Sequence, residues 1–330
     1  MGDDDRWPLS DEEIRYLLRS VGITDEPESI TLRADWQGQS IYIESESDGV
    51  IILECFPHGA ASAHKEVRIR QRIRDSTTVP VPRVKAVVNE EPVTIPTIVS
   101  QVIGGLPVFD LAGLSPANQI TAFESYGRIL ASLREVPIAE SFGPVSTDGT
   151  SLIEGTRHFY DWFVPQCESR LRQISDTPLS HYEHAVRDRF QAIRPDLNQR
   201  FSASLVKGSY RFEHLLVESA GSLDLRAVRG FHKSLSGPAE YDYALGYWHL
   251  CERPFRSPSF RDAFDKGYQA SGTIPTSPAA KRRRDLYWLD ELVAETNRIA
   301  HLEKMGELST AESDRHHDRL GQHFDRLLES

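Results

Sequence analysis

The sequence predicts an α+β protein of two lobes, and three observations carry that prediction. β-rich runs and hairpin turns fill roughly the first third of the chain, with one long helical stretch among them. Gly104-Gly105-Leu106-Pro107 then breaks the chain sharply. Beyond the break, helical spacing of apolar residues dominates. A chain of 330 residues, 39% of them hydrophobic, is long enough to bury the cores of two lobes. The expected organisation is an N-terminal helix over 1–22, a sheet lobe over 23–103, a helical lobe over 104–272 and terminal helices over 273–330.

Taken in order, Ser10-Asp11-Glu12-Glu13 is a capping box, and Ile14, Leu17, Leu18 and Val21 recur at helical spacing until Gly22. Runs over 30–33, 39–46 and 50–56 read as strands, the last two joined by the hairpin turn Ser47-Asp48-Gly49. Residues 60–74 are helical in pattern, with Val67, Ile69 and Ile73 among many charges, and Val79-Pro80-Val81-Pro82 ends the run. Strands over 83–88 and 95–102 complete a five-stranded antiparallel sheet. A hinge is expected over 101–105. Ser115-Pro116 opens the next helix by the cap-then-proline rule. Helical runs follow over 155–174 and 181–193, a strand over 223–228, and helices over 240–252, 259–270, 280–301 and 310–328.

Composition excludes several classes. A net charge of −11 argues against broad binding to nucleic acid or an anionic membrane. The dense basic run Lys281-Arg282-Arg283-Arg284 reads as the solvated first turns of a helix. Three scattered cysteines, Cys55, Cys167 and Cys251, suggest neither disulfides nor a zinc site. With no basic leader and no long apolar run, a cytoplasmic location is expected. His316, His317 and His323 could bind a metal, but a solvated helix face is the better reading.

The chemistry is expected at residues 204–217, Ser-Leu-Val-Lys-Gly-Ser-Tyr-Arg-Phe-Glu-His-Leu-Leu-Val. This reads as strand, tight loop with Gly208, and strand, the kind of rigid base that carries catalytic groups. Its side chains are Lys207, Ser209, Glu213 and His214. Ser209 is expected to close the turn, Lys207 to project into solvent, and the histidines to fill or rim a cleft. Upstream, Gln37, Gly38 and Ser40 form a turn whose amides could approach a phosphate, or a plain hairpin.

The order of parts resembles the aminoglycoside phosphotransferase and choline kinase-like family, a small-molecule branch of the protein-kinase-like fold. The matching pieces are Ala63-His64-Lys65-Glu66-Val67, Val79-Pro80-Val81-Pro82-Arg83-Val84, Val102-Ile103-Gly104-Gly105-Leu106-Pro107, Leu130-Ala131-Ser132-Leu133, Phe142-Gly143 and Gly237-Pro238-Ala239-Glu240-Tyr241-Asp242-Tyr243-Ala244. They cover most of residues 22–272. The resemblance implies a bilobal protein-kinase-like fold with a nucleotide cleft between the lobes. It also implies that the loop should read His-Gly-Asp, then Asn five residues later, with a metal-binding Asp after the next strand. Those groups position the attacking hydroxyl and hold magnesium on the phosphates.

Here Lys207 stands at the His position, Ser209 at the catalytic Asp, His214 at the Asn and Gly230 at the metal Asp. Glu54 stands where the family commonly has a phosphate-binding Lys, while its helix partner is kept as Glu66. Two facing carboxylates would repel each other and a triphosphate. The expectation is therefore a catalytically degenerate, pseudokinase-like protein with no confident catalytic residue, no metal, and ATP with magnesium disfavoured as cofactor. Its cleft would bind a small molecule or a protein partner near Gln37, Gly38, Ser40, Glu54, Glu66, Gln101, Ile103 and His232. Two alternatives stay open. Lys207, Ser209, His214 and His232 could support a different chemistry. Displaced acids, Glu213 or Asp224, could still transfer phosphate, although strand alternation would turn Glu213 away from the face that His214 uses.

Overall fold

The computed structural model describes residues 8–23, 29–34, 39–45, 49–102, 106–108, 111–147, 155–219, 222–252 and 257–329. Helix α1 (Asp11–Ser20) begins at the expected capping box: Ser10 accepts from the Glu13 amide, and Glu13 accepts from the Ser10 amide. Glu13 also accepts from the amide and hydroxyl of Thr94, both at 2.7 Å, which ties the helix to a distant loop. Burial works against its charge, but these hydrogen bonds outweigh it and draw the carboxyl down to about 2.

Strands β1 (Ser29–Ala34), β2 (Gln39–Ser45) and β3 (Gly49–Cys55) form the expected meander, helix α2 (Ala60–Ser76) follows, and β4 (Arg83–Val88) and β5 (Thr97–Val102) close the sheet. The antiparallel order is β1-β2-β3-β5-β4. Side-chain alternation gives each face of this sheet its own work. Ile41, Ile43, Ile51, Leu53 and Val99 meet Ile14, Leu17 and Leu18 of α1 on one side. Tyr42, Val50, Ile52 and Val102 meet Leu216 and Ala227 of the second lobe on the other. Glu54 alternates in step with Val50 and Ile52, so it faces the space between the lobes.

The second lobe contains more sheet than the sequence reading anticipated. Its elements are β6 (Leu106–Pro107), α3 (Pro116–Ser132), β7 (Gly143–Pro144), α4 (Phe159–Gln173), α5 (Glu183–Ile193), β8 (Ala203–Val206), β9 (Leu215–Ser219), β10 (Ser222–Val228), β11 (Leu235–Pro238), α6 (Ala239–Tyr247), α7 (Pro258–Gln269), α8 (Pro278–Lys304) and α9 (Thr310–Glu329). Two three-stranded sheets, β10-β9-β6 and β7-β11-β8, frame the loop over 207–214. Two-residue strands such as β6 and β7 are too short to show a period, which is why pattern reading missed them. The run expected as one helix over 240–252 instead changes at Trp248 into a π-helical turn ending at Glu252.

Helices α3 and α7 run backbone to backbone. A Cβ on Gly127 would lie 2.1 Å from the Phe264 carbonyl oxygen, and one on Gly267 would lie 1.9 Å from that of Glu124. Helices α8 and α9 build a further core with Trp248, Trp288, Leu289 and Phe324. Two expectations about this end of the chain are corrected. Arg283 is buried and donates to both carboxylate oxygens of Glu240, at 2.6 and 2.7 Å, so the basic run is only partly solvated. His323 is fully buried edge-on to Trp248, and His317 is buried too, so these histidines belong to the packed face of α9. Among the described residues no group of three His, Cys, Asp or Glu side chains could hold a metal ion, and no helix is long and apolar enough to cross a membrane.

Candidate functional site

The loop between β8 and β9 is held before its side chains are considered. Gly208 has φ +73°, and a Cβ there would lie 2.3 Å from the Lys233 carbonyl oxygen, so the backbone passes where only glycine fits. From α6, Asp242 accepts from the Lys207 amide at 2.8 Å and from the Tyr210 hydroxyl at 2.6 Å. Burial lifts this carboxyl to about 7 against those hydrogen bonds. Tyr126 of α3 accepts from the Arg211 amide at 3.0 Å, a positioning contact that the sequence did not signal.

Lys207 overturns its expected solvent exposure. The side chain is fully buried, and its Nζ donates to the carbonyls of Ser209 at 2.7 Å, Arg229 at 3.0 Å and Gly230 at 3.0 Å. It also lies 3.1 Å from His214 Nδ1 and over the Phe231 ring. Burial lowers the amine to about 7, opposed by Glu66 and Asp242, and it holds the imidazole well below its ordinary value. The three positions Ser209, His214 and Gly230 therefore converge on one amine.

His214 does not lie on a strand. Residues 212–214 form a 3-10 turn, so the alternation argument about Glu213 does not apply. Glu213 instead receives a hydrogen bond from Arg211 at 2.9 Å, and Asp224 is exposed on β10. Gly230 has φ +83°, and a Cβ there would come within 2.6–2.7 Å of the His214 ring. Glycine at this position leaves the room that the imidazole uses.

The expected repulsion between Glu54 and Glu66 is also corrected, because Arg70 lies between them. Its Nη2 donates to Glu54 at 2.6 Å, its Nε to Glu66 at 2.7 Å, and its Nη1 to Ser100 at 3.1 Å. One helical turn separates Glu66 from Arg70, which places both on the inner face of α2. From the second lobe, Arg229 adds a donor to Ser40 at 2.7 Å and to Glu54 at 3.4 Å, and lies over Tyr42. Burial opposes the charge on Glu54, but the two arginines outweigh it and hold the carboxyl below its ordinary value. The same carboxylates raise Arg70. Glu66 accepts from the amides of Gly230, at 3.1 Å, and Phe231. The lobes are thus joined through the middle of the cleft by the Arg229–Glu54 ion pair and by the hydrogen bonds of Ser40 and Glu66.

Of the other expected ligand positions, His232 is partly exposed, 3.9 Å from Glu66 and edge-on to Phe56. Gln101 is half-buried near the end of β5. Gln37, Gly38 and Ile103 lie outside the described residues, as does most of the expected hinge. The signal that could have exposed the arginine bridge was Glu66-x-x-x-Arg70, a spacing that solvated helix faces also carry.

A five-stranded antiparallel sheet with one crossing helix, set on a mainly helical lobe with this loop between them, defines a bilobal kinase-like fold. The sequence matches the phosphotransferase enzyme family, designated APH, over residues 29–304, and the chain belongs to that family. Among solved structures, a candidate aminoglycoside phosphotransferase from Ralstonia eutropha JMP134 is 16% identical, with 97% of each chain covered and a TM-score of 0.68. The GDP complex of wild-type aminoglycoside 2'-phosphotransferase-IIIa is 12% identical, covering 96% of this chain and 99% of that one, with a TM-score of 0.66. A thermostable mutant of aminoglycoside phosphotransferase APH(4)-Ia, in ternary complex with AMP-PNP and hygromycin B, is 12% identical, covering 94% and 97%, with a TM-score of 0.65. At these identities the likeness concerns the fold. No curated protein matches the sequence.

Proposed function

We propose that this chain is a catalytically degenerate member of its family, whose cleft serves binding rather than magnesium-dependent phosphoryl transfer. The supporting observation is the convergence of Ser209, His214 and Gly230 on the buried amine of Lys207. Magnesium requires near-octahedral oxygen ligands, commonly carboxylates with water. What meets here is three backbone carbonyls, an imidazole and an internal amine, a set that does not fit the metal. No carboxylate stands at either position where the family resemblance places one, and the nearest buried carboxylates are engaged: Glu54 and Glu66 by Arg70, Asp242 by Lys207 and Tyr210.

The test is a thermal-shift titration with ATP and GTP, with and without magnesium, alongside a phosphate-release assay. The expected result is no magnesium-dependent stabilisation and no release above buffer. Magnesium-dependent stabilisation with turnover overturns the reading.

A second reading rests on the Lys207 amine, which burial brings to about 7, near the value useful in acid–base work. Full burial of that side chain opposes it, because a substrate could reach the amine only after the cleft opened. Turnover of a small molecule that disappears in Lys207→Ala would favour this second chemistry.

A further inference from the structure

Helix α2 has two working faces. Its inner face carries Glu66, Ile69, Arg70 and Ile73, all buried. Its outer face lines a groove of about 920 Å³ with His64, Arg68, Gln71, Arg72 and Asp75. Pro137 and Thr147 of the second lobe form the opposite wall, and Arg72 donates to the Pro137 carbonyl at 2.5 Å, which fixes the width at one point. Arg68 is exposed and makes no ion pair or hydrogen bond among the described residues.

The charge of this groove runs against the charge of the molecule. Two arginines and a histidine face one carboxylate, Asp75, in a chain whose net charge is −11. A cationic groove on a protein of net negative charge gives an anionic segment a local attraction that the overall charge of the molecule does not offer. Its lining runs from Ala61 to Ser76 on α2, roughly 22 Å at the helical rise. That length accommodates about six or seven extended residues. The mixed lining, with Ala61, Pro137 and Thr147 among the charges, suits a peptide that alternates acidic with apolar side chains better than a uniformly charged polyanion.

We propose that the outer groove of α2 is a docking site for an acidic, partly apolar segment of a partner protein. The proposal does not depend on whether the cleft transfers phosphate, since none of the groove residues belongs to the loop or to the buried ion pairs.

A fluorescein-labelled heptapeptide, Glu-Leu-Asp-Glu-Leu-Asp-Glu, titrated against the full chain by anisotropy, tests it. The expected result is saturable binding at about 50 mM salt that weakens at least about tenfold in Arg68→Glu and falls similarly at about 500 mM salt. The matching peptide with Gln and Asn in place of the acids should not bind. Because Arg68 is exposed and has no ion pair or hydrogen bond among the described residues, the variant should melt like the wild type, so lost binding can be separated from unfolding. Absence of saturation up to about 1 mM peptide, unchanged affinity in Arg68→Glu, or tighter binding of duplex DNA at equal charge each overturns the proposal.

Discussion

The cleft and the seam between α3 and α7 lie in the same fold and are held in opposite ways. At the seam, Gly127 and Gly267 let two helix backbones touch, and the ion pair that crosses it, Lys266–Glu124 at 2.9 Å, lies at the surface with its lysine exposed. In the cleft, three buried cations, Arg70, Arg229 and Lys207, stand among three buried carboxylates, Glu54, Glu66 and Asp242. The seam is set chiefly by the close approach of the two backbones. The cleft joins the two lobes through buried charged groups. One kinase-like frame thus holds one region by backbone contact and another by buried polar groups that satisfy one another.

The comparison breaks first if Arg70 is removed. Arg70→Ala leaves Glu54 and Glu66 facing each other without their bridge, and should cost about 3–5 kcal/mol by urea denaturation. In a Glu54→Gln background the same substitution should cost less by about 1 kcal/mol or more. Equal costs in the two backgrounds would show that Arg70 acts by packing, as the seam does. Gly267→Ala comes next, with an expected loss of about 1–3 kcal/mol that does not respond to salt, because a Cβ meets backbone. A salt-dependent loss would contradict the division between the two regions.

Lys207 gives a smaller effect with a definite sign. The amine falls from its ordinary value of 10.5 to about 7 on folding, so between those values the unfolded chain binds more protons. Its penalty on stability is full below about pH 7 and fades as the pH climbs towards 10.5. Melting temperatures of wild type and Lys207→Met, measured from pH 7 to 10, should therefore diverge in favour of the wild type as pH rises. A constant difference would mean that the amine stays charged in the folded chain. Smallest of the four, Ser10→Ala removes one half of the capping box and should cost about 1 kcal/mol, with Glu13 still held to Thr94.

Much of the frame was legible because its signals are local. The capping box at Ser10 and the alternation along β2 and β3 each follow from neighbouring residues, and five antiparallel strands with one helix resulted, while the expected turn at Ser47-Asp48 lies outside the described residues. The order of motifs carried the family, and the fold follows from it. What was not legible depends on groups that meet only after folding. Lys207 reads as a solvated loop residue until Ser209, Arg229 and Gly230 turn their carbonyls towards it. Arg70 reads as one charge among many on α2 until the sheet brings Glu54 opposite. His323 reads as polar until Trp248 covers it. In each case burial reverses the meaning of a polar side chain, and sequence spacing does not report burial.

Gly230 and His214 also constrain the order in which substitutions can enter the chain. An aspartate placed at Gly230 finds the imidazole already in the space of its Cβ, on a backbone at φ +83° that side chains seldom accept. His214→Asn alone opens that space but supplies no carboxylate. Each single step disturbs the packing of the other residue, so the two positions hold each other like the stops of a lock that must be turned together.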